Sequence, residues 1–433
     1  MSSVRHEPSS RSQPPALLRP RAGFAAAMSA VLLALSGCVE APVAPPVHLT
    51  GDPVADGKAQ LAVALPKDRV LWDYRIAAAA LRAGQFDEAK ARLDDAIARI
   101  GGIIANDEAA KKARSYFTAE SQKTFIGEPY ERVMAFYYRG LLYWRDGQPD
   151  NARACFRSAQ FIDSAAEQET YRSDYVLLDY LDGLATAKLA DDGSDAFARA
   201  QKLAKHDLPP YDPANNVLFF VEFGQGPRKY AAGQYGEQLK FRVQPSRIRS
   251  AMLVVAGHTV YFTPWDNLDF QAITRGGRVM DYILGNKAVF KQGTEAVGDL
   301  ALAGAAIAAD NIYKDPPRSP PTRDDRRSDN QPAAAPEQKN YDAENAAIAL
   351  GVIGLISKVA SAATTPQADT RTWENLPQYL SFSALHLAPG SYPASLQFYD
   401  AEGHVVPDLG RHLTVNVGDA SRDTVVILSE LKR

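Results

Sequence analysis

The sequence predicts an α+β fold, with a helical-repeat unit over 68–208 and an antiparallel β-sandwich-like unit over 209–433 that carries an inserted Ala/Gly-rich helical pair. Three observations carry this expectation. Two segments align around the turn glycines Gly84 and Gly147 with matched small and large apolar positions. Beyond Pro209 the apolar period changes to short alternating runs separated by turn residues, the pattern of half-buried strands. Between two groups of such strands, 278–363 is dominated by Ala and Gly, with a Pro-rich, charged stretch in its middle.

Length and charge bound the reading first. The chain has 433 residues, 46% hydrophobic and 23% charged, with a formal net charge of -3, which suits two or three globular domains. Without residues 1–37 the balance is 44 basic to 50 acidic residues, which leaves no electrostatic footprint for nucleic acid.

Residues 1–37 read as an export signal. Arg19 and Arg21 precede the apolar run Ala22 to Leu35, and Ser36-Gly37 lead into Cys38. That is a basic region, an apolar core and small residues before a cut. The tetrad Leu35-Ser36-Gly37-Cys38 resembles the bacterial lipoprotein box. The resemblance implies a diacylglycerol on Cys38, which becomes the first mature residue, and no other cofactor is expected. Val39 stands where aspartate commonly marks inner-membrane retention in such lipoproteins, so the resemblance implies the outer membrane. Residues 38–67, rich in proline and small side chains at their start, are expected to be a tether. Cys155, the other of the chain's two cysteines, falls on an apolar helix face and is expected to be an inert core thiol.

The repeat signal comes next. Ala89, Leu93 and Ala96 after Gly84 match Ala152, Phe156 and Ala159 after Gly147, and upstream Ala77 and Ala80 match Gly140 and Tyr143. Small residues allow close helix approach and the large one fills the groove. This pattern resembles the tetratricopeptide repeat (TPR), with a third, degraded copy from Tyr175 to Ala200. The two glycines lie 63 residues apart, against about 34 in a simple array. The extra residues, 106–130, are expected to start as helix and continue as a packed loop. The run from Glu120 to Trp144, with ARACFRSAQF after it, further resembles a family of uncharacterised proteobacterial lipoproteins carrying such repeats. The resemblance extends more loosely to FGQGPRK at 223–229 and ADTRTWENLP at 368–377.

Repeats of this kind bind peptides on the face lined by the first helix of each pair. The corresponding positions are Tyr74, Ala78 and Arg82 in one copy and Tyr137, Leu141 and Arg145 in the other, with Trp144 beside the last. Tyr74, Arg82, Tyr137, Trp144 and Arg145 are therefore the candidate partner-binding residues, and arginine and aromatic side chains often dominate binding energy. The same residues at the same spacing also suit plain inter-helix packing and a solvated face. The family's two-carboxylate clamp uses lysine and asparagine where this chain has Tyr74, Ala78, Tyr137 and Leu141, so that ligand is not implied.

In the C-terminal half, strands are expected at 217–223, 237–243, 251–256, 259–263, 379–387, 395–399, 413–417 and 424–428. The inserted pair is expected at 295–310 and 344–363, with a disordered linker at 313–342. Its uninterrupted apolar runs reach 10 and 11 residues, short of the ~20 a spanning helix needs. These helices read either as a cover for the sheet or as a hairpin that inserts in a membrane or packs against partner helices.

Candidate chemistry is sparse. The loop Gly224 to Lys229 has the composition of a phosphate-cradling turn, but Pro227 removes a donor and no helix follows. Arg228 and Lys229 are the candidate anion contacts there. There is no HExxH or GxSxG motif, and no metal site is expected. The expectation is a membrane-anchored envelope lipoprotein acting as a protein-binding or scaffolding module, with an envelope protein or peptide as partner. A cell-wall enzyme with an unseen site and a membrane-inserting or assembly component built on the Ala/Gly helices compete with it.

Overall fold

The computed structural model describes residues 47–105, 122–164, 174–243, 246–274, 367–419 and 422–431. Cys38 and its leader, most of the segment 106–130, and both inserted helices with their linker lie outside the described residues. What is described is mixed α and β, with eight α-helices and three sheets.

The helices are α1 (Pro53–Val63), α2 (Arg69–Arg82), α3 (Phe86–Ala105), α4 (Pro129–Arg145), α5 (Pro149–Asp163), α6 (Val176–Lys188), α7 (Ser194–Leu203) and the short α8 (Leu268–Thr274). The expected tether to residue 67 is corrected by α1. Asp52 caps it by accepting from Val54 N and Ala55 N, Pro53 opens its first turn, and Val54 and Leu61 are buried. Asp-Pro is a start signal legible in the sequence. Gly57 lets this helix approach α2, since a Cβ there would lie 2.7 Å from Ile76 Cγ1.

Three antiparallel pairs follow, α2/α3, α4/α5 and α6/α7, each closed in the same way. Gly84 N and Gln85 N donate to Leu81 O and Ala80 O, and Gly147 N and Gln148 N donate to Trp144 O and Tyr143 O. In the third pair Ala190 N and Asp191 N donate to Ala187 O and Thr186 O. This closure needs a left-handed residue after the helix. Gly84 and Gly147 supply it at φ 74° and 77°, and Ala190 adopts it at 60°. The aligned small residues act as expected. A Cβ on Gly140 would fall 2.6 Å from the Phe156 ring, and Ala89, Leu93, Ala96, Ala152, Phe156 and Ala159 are fully buried.

The strands are β1 (Val217–Gln225), β2 (Arg228–Ala232), β3 (Gln238–Arg242), β4 (Ser250–Val255), β5 (His258–Phe262), β6 (Asp266–Asn267), β7 (Pro377–Leu385), β8 (Gly390–Tyr399), β9 (Arg411–Val417) and β10 (Thr424–Ser429). They form a four-stranded sheet in the order β10-β1-β7-β6, a second in the order β5-β4-β8-β9, and the hairpin β2-β3. The expectation of purely antiparallel pairing fails at one place: β10 runs parallel to β1, in register from Val217 opposite Thr424 to Glu222 opposite Ser429.

Strand β1 explains the layering. Its residues alternate between two cores: Leu218 and Phe220 join the helices, while Val217, Phe219, Val221 and Phe223 join the second sheet. A strand covered on both faces reads as a continuous apolar run rather than an alternating one, as VLFFVEF does. The helix-side core is continuous from α2 through Phe382 and Trp373, so the helical and β segments share one apolar interior.

Candidate functional site

The face that the repeat alignment selects is occupied by the chain itself. Tyr74 is fully buried and stacks on Trp373, ring centroids 4.3 Å apart and 15° from parallel. Tyr137 is buried against Phe220 of β1. Trp144 is buried and donates from Nε1 to Asp423 Oδ2 at 2.8 Å. Arg82 lies under the sheet, its Nε 2.5 Å from Glu222 Oε1. The expectation that these four line an open groove is therefore corrected. They do share one side of the helices, as the alignment requires, but the first four-stranded sheet covers that side. A row of large apolar side chains on a concave helical surface favours such burial. Of the five, only Arg145 keeps a substantially solvent-facing side chain. Its guanidinium sits 3.9 Å from the Phe86 ring centre and 3.4 Å from Asp146.

The covering is pinned by polar contacts that the sequence reading did not find. Glu131, fully buried at the start of α4, accepts from Lys229 Nζ at 2.5 Å, Trp373 N at 2.8 Å and Glu128 N at 2.7 Å. Burial holds its carboxyl above the ordinary range while Lys229 pulls it back. Lys229 also donates to Arg371 O at 2.9 Å, so its anion is internal and it does not serve as an outward anion contact. Arg371 donates to Asp68, Asp369 and the carbonyl of Lys123. Asn375 donates to Arg75 O. The segment ADTRTWENLP, singled out by resemblance, is thus the wedge that docks sheet on helices. Arg228 remains half-buried in a cleft of about 420 Å³, with Trp72, Arg75 and Glu374 in its wall. Arg75 and Glu374 form an ion pair there.

Other candidate chemistry resolves simply. Cys155 is buried and burial pushes its thiol up to about 11, so it stays protonated and unreactive near neutral pH. Among the described residues no group of three His, Cys, Asp or Glu side chains is placed to hold a metal ion, and no helix is long and apolar enough to cross a membrane.

Among the described residues a further groove, of about 650 Å³, lies open between the outermost strands of the two four-stranded sheets. Strand β10 forms one wall and β9 the other, each the outermost strand of its sheet. The α2/α3 turn, Leu81 to Phe86, and Arg145 close one end. Among its charged lining residues the basic ones prevail, Arg82, Arg145, Arg411 and Arg422 against one acid, Asp423. Asp423 is already committed, accepting from Lys188 Nζ at 2.7 Å and from Trp144, and Arg82 is neutralised by Glu222. Arg145 is paired with Asp146, so the positive charge at the mouth rests on Arg422, exposed beside the Gly147 turn. Such a groove can present backbone groups and cations together to an extended ligand. No protein-family model, curated protein or solved structure matches this chain.

Proposed function

We propose that the chain is a lipid-anchored envelope protein that binds another protein, and that it does so at the groove between β9 and β10 rather than on the concave helical face. The observation that carries the binding part is the groove itself: two outermost strands facing one cleft with arginines at its mouth. The anchor part rests on Leu35-Ser36-Gly37-Cys38 and the basic and apolar segments before it. The absence of aspartate at Val39 supports the outer membrane.

In this reading the three helix pairs are TPR-like repeats whose ligand surface has been turned inward. Their identical closing hydrogen bonds and matched small residues support that relation. The two four-stranded sheets, with one apolar core between them, support a sandwich-like β unit. The repeats then act as a rigid backing that holds β10 and Arg145 in fixed relation.

Crosslinking in intact cells, followed by purification of the tagged full-length chain from solubilised membranes, tests the binding reading. A specific envelope protein recovered through crosslinks near Arg145 or Arg422 is the expected result. Crosslinks confined to the outer helices α3, α5 and α7 would overturn it. Mass spectrometry of the mature N-terminal peptide tests the anchor independently, and Cys38→Ser should leave the membrane fraction.

A further inference from the structure

The open side of β10 can be read residue by residue. Thr424 N donates to Asn216 O at 2.7 Å, and at the other end Glu430 N donates to Glu222 O at 3.0 Å. In a parallel pair only alternate residues of a strand turn their N–H and C=O groups to the neighbour. With the register unbroken between these points, Thr424, Val426, Leu428 and Glu430 are bonded to β1. Val425, Ile427 and Ser429 turn their backbone groups away from it, toward the side where no described strand pairs with β10.

Natural sheets blunt such edges with lysine, proline, a bulge or very short length. The strand TVVILS has none of these devices. Its side chains are spoken for, since Val425 and Ile427 pack toward the helices and Val426 and Leu428 toward the second sheet. The free capacity of this strand is therefore its backbone. At its N-terminal end stand the two cations, Arg145 and Arg422, set by the α4/α5 turn.

We infer that β10 receives an extended, acidic peptide segment of a partner, added as a further strand. The backbone of Val425 and Ile427 supplies the pairing, and Arg145 and Arg422 select carboxylate side chains near one end. This deepens the protein-binding reading and rests on it. The occupant is assigned as acidic because Arg422 is exposed at the groove's mouth and Arg145, although paired with Asp146, keeps a solvent-facing side chain beside it, and as extended because only a strand satisfies alternating N–H and C=O groups.

The test uses the full-length chain in detergent and a synthetic peptide alternating valine and glutamate, with a valine–lysine peptide as control. Amide hydrogen exchange is read at single-residue resolution, and affinity by fluorescence anisotropy. The glutamate peptide should slow exchange at Val425 and Ile427 at least tenfold and leave Val426 and Leu428, already bonded to β1, unchanged. An Arg145→Glu/Arg422→Glu variant with unaltered thermal stability should bind it at least tenfold more weakly, and the lysine peptide should gain what the glutamate peptide loses. Uniform protection of odd and even residues, or no protection at saturating peptide, overturns the inference. So does slow exchange at Val425 and Ile427 before any peptide is added, because the edge is then already covered. Dilution would separate cover by a second copy from cover by this chain's own residues. In each failing case, a partner recovered by crosslinking would leave the broader binding reading standing.

Discussion

Arg82 and Glu222 meet across the boundary between helix α2 and strand β1, Nε to Oε1 at 2.5 Å, with side chains only 2% and 5% exposed. Tyr138 completes the carboxylate's environment by donating to Oε2 at 2.6 Å. A pair this buried gains little over a well-packed apolar pair, but stranding one member is severe. Glu222→Gln should therefore lower unfolding free energy by about 3–5 kcal/mol. The double variant Arg82→Met/Glu222→Leu should recover most of it. Urea denaturation of the three proteins checks both statements, and a double variant as unstable as the single one would show that the charges hold the boundary together.

The two aligned helix pairs predict contrasting glycine substitutions. Gly84→Ala meets nothing within 4 Å but keeps φ at +74°, a left-handed strain of about 1–2 kcal/mol. Gly140→Ala keeps ordinary helix geometry but drives a Cβ to 2.6 Å from Phe156 Cε1, overpacking of about 1–3 kcal/mol. The first pair holds Ala77 and Leu93 at the equivalent positions. Gly140→Ala/Phe156→Leu, which installs that pair, should regain stability relative to Gly140→Ala alone, while Phe156→Leu should not help Gly84→Ala. Thermal unfolding of the set decides it, and equal effects of Phe156→Leu in both backgrounds would break the structural equivalence of the pairs.

Acidification should stabilise the fold before it destroys it. Asp266 accepts from Val176 N and Leu177 N at the start of α6, 2.9 Å each, yet burial pushes its carboxyl up to about 7. Burial likewise pushes Asp269 up to about 7. A carboxyl raised in the folded state binds more protons there than in the unfolded chain. Stability then falls as pH rises from about 4 to about 7, by up to about 1.4 kcal/mol per pH unit for one group. The melting temperature should accordingly be higher at pH 5.5 than at pH 8. Asp269→Asn should flatten that slope without touching the α6 cap. A melting temperature that climbs with pH over this window would reverse the assigned cause.

Local features were legible in the chain and long-range ones were not. Gly84 and Gly147 announced their turns because a left-handed cap leaves glycine in the sequence, whereas Ala190 at the third turn left no such mark. The hairpin of β4 and β5 was legible from alternation, with Leu253 opposite Val260. The parallel partnership of β1 and β10 joins residues more than 200 positions apart, and no local pattern encodes it. The nearest hint was Glu222, an acid inside the run VLFFVEF, which required a buried counter-charge somewhere. The same gap explains the candidate site. The spacing of Tyr74, Arg82, Tyr137 and Trp144 is a local pattern, but what covers their side of the helices is a tertiary fact. The wedge residues Arg371 and Trp373 were visible only as part of a resembling segment.

The position of β10 depends on Asp423, the residue just before the strand. Its two oxygens are divided between helices, Oδ2 taking the Trp144 Nε1 hydrogen at 2.8 Å and Oδ1 the Lys188 Nζ at 2.7 Å. Lys188 also reaches Pro213 O at 3.0 Å, so one carboxylate ties the start of β10 to α4, α6 and the approach to β1. An outermost strand held on one side only is the first part of a sheet to open locally. Asp423→Ala strands the indole N–H and the ammonium together and should cost about 1.5–3 kcal/mol. The loss should be local before it is global. Amide exchange at Val426 and Leu428, which are bonded to β1, should quicken in the variant, while Phe219 and Val221 in the centre of β1, whose amides turn to β7, stay protected. Unchanged exchange at Val426 and Leu428 would mean that the strand's own packing, through Val425 and Ile427 against the helices, suffices to hold it.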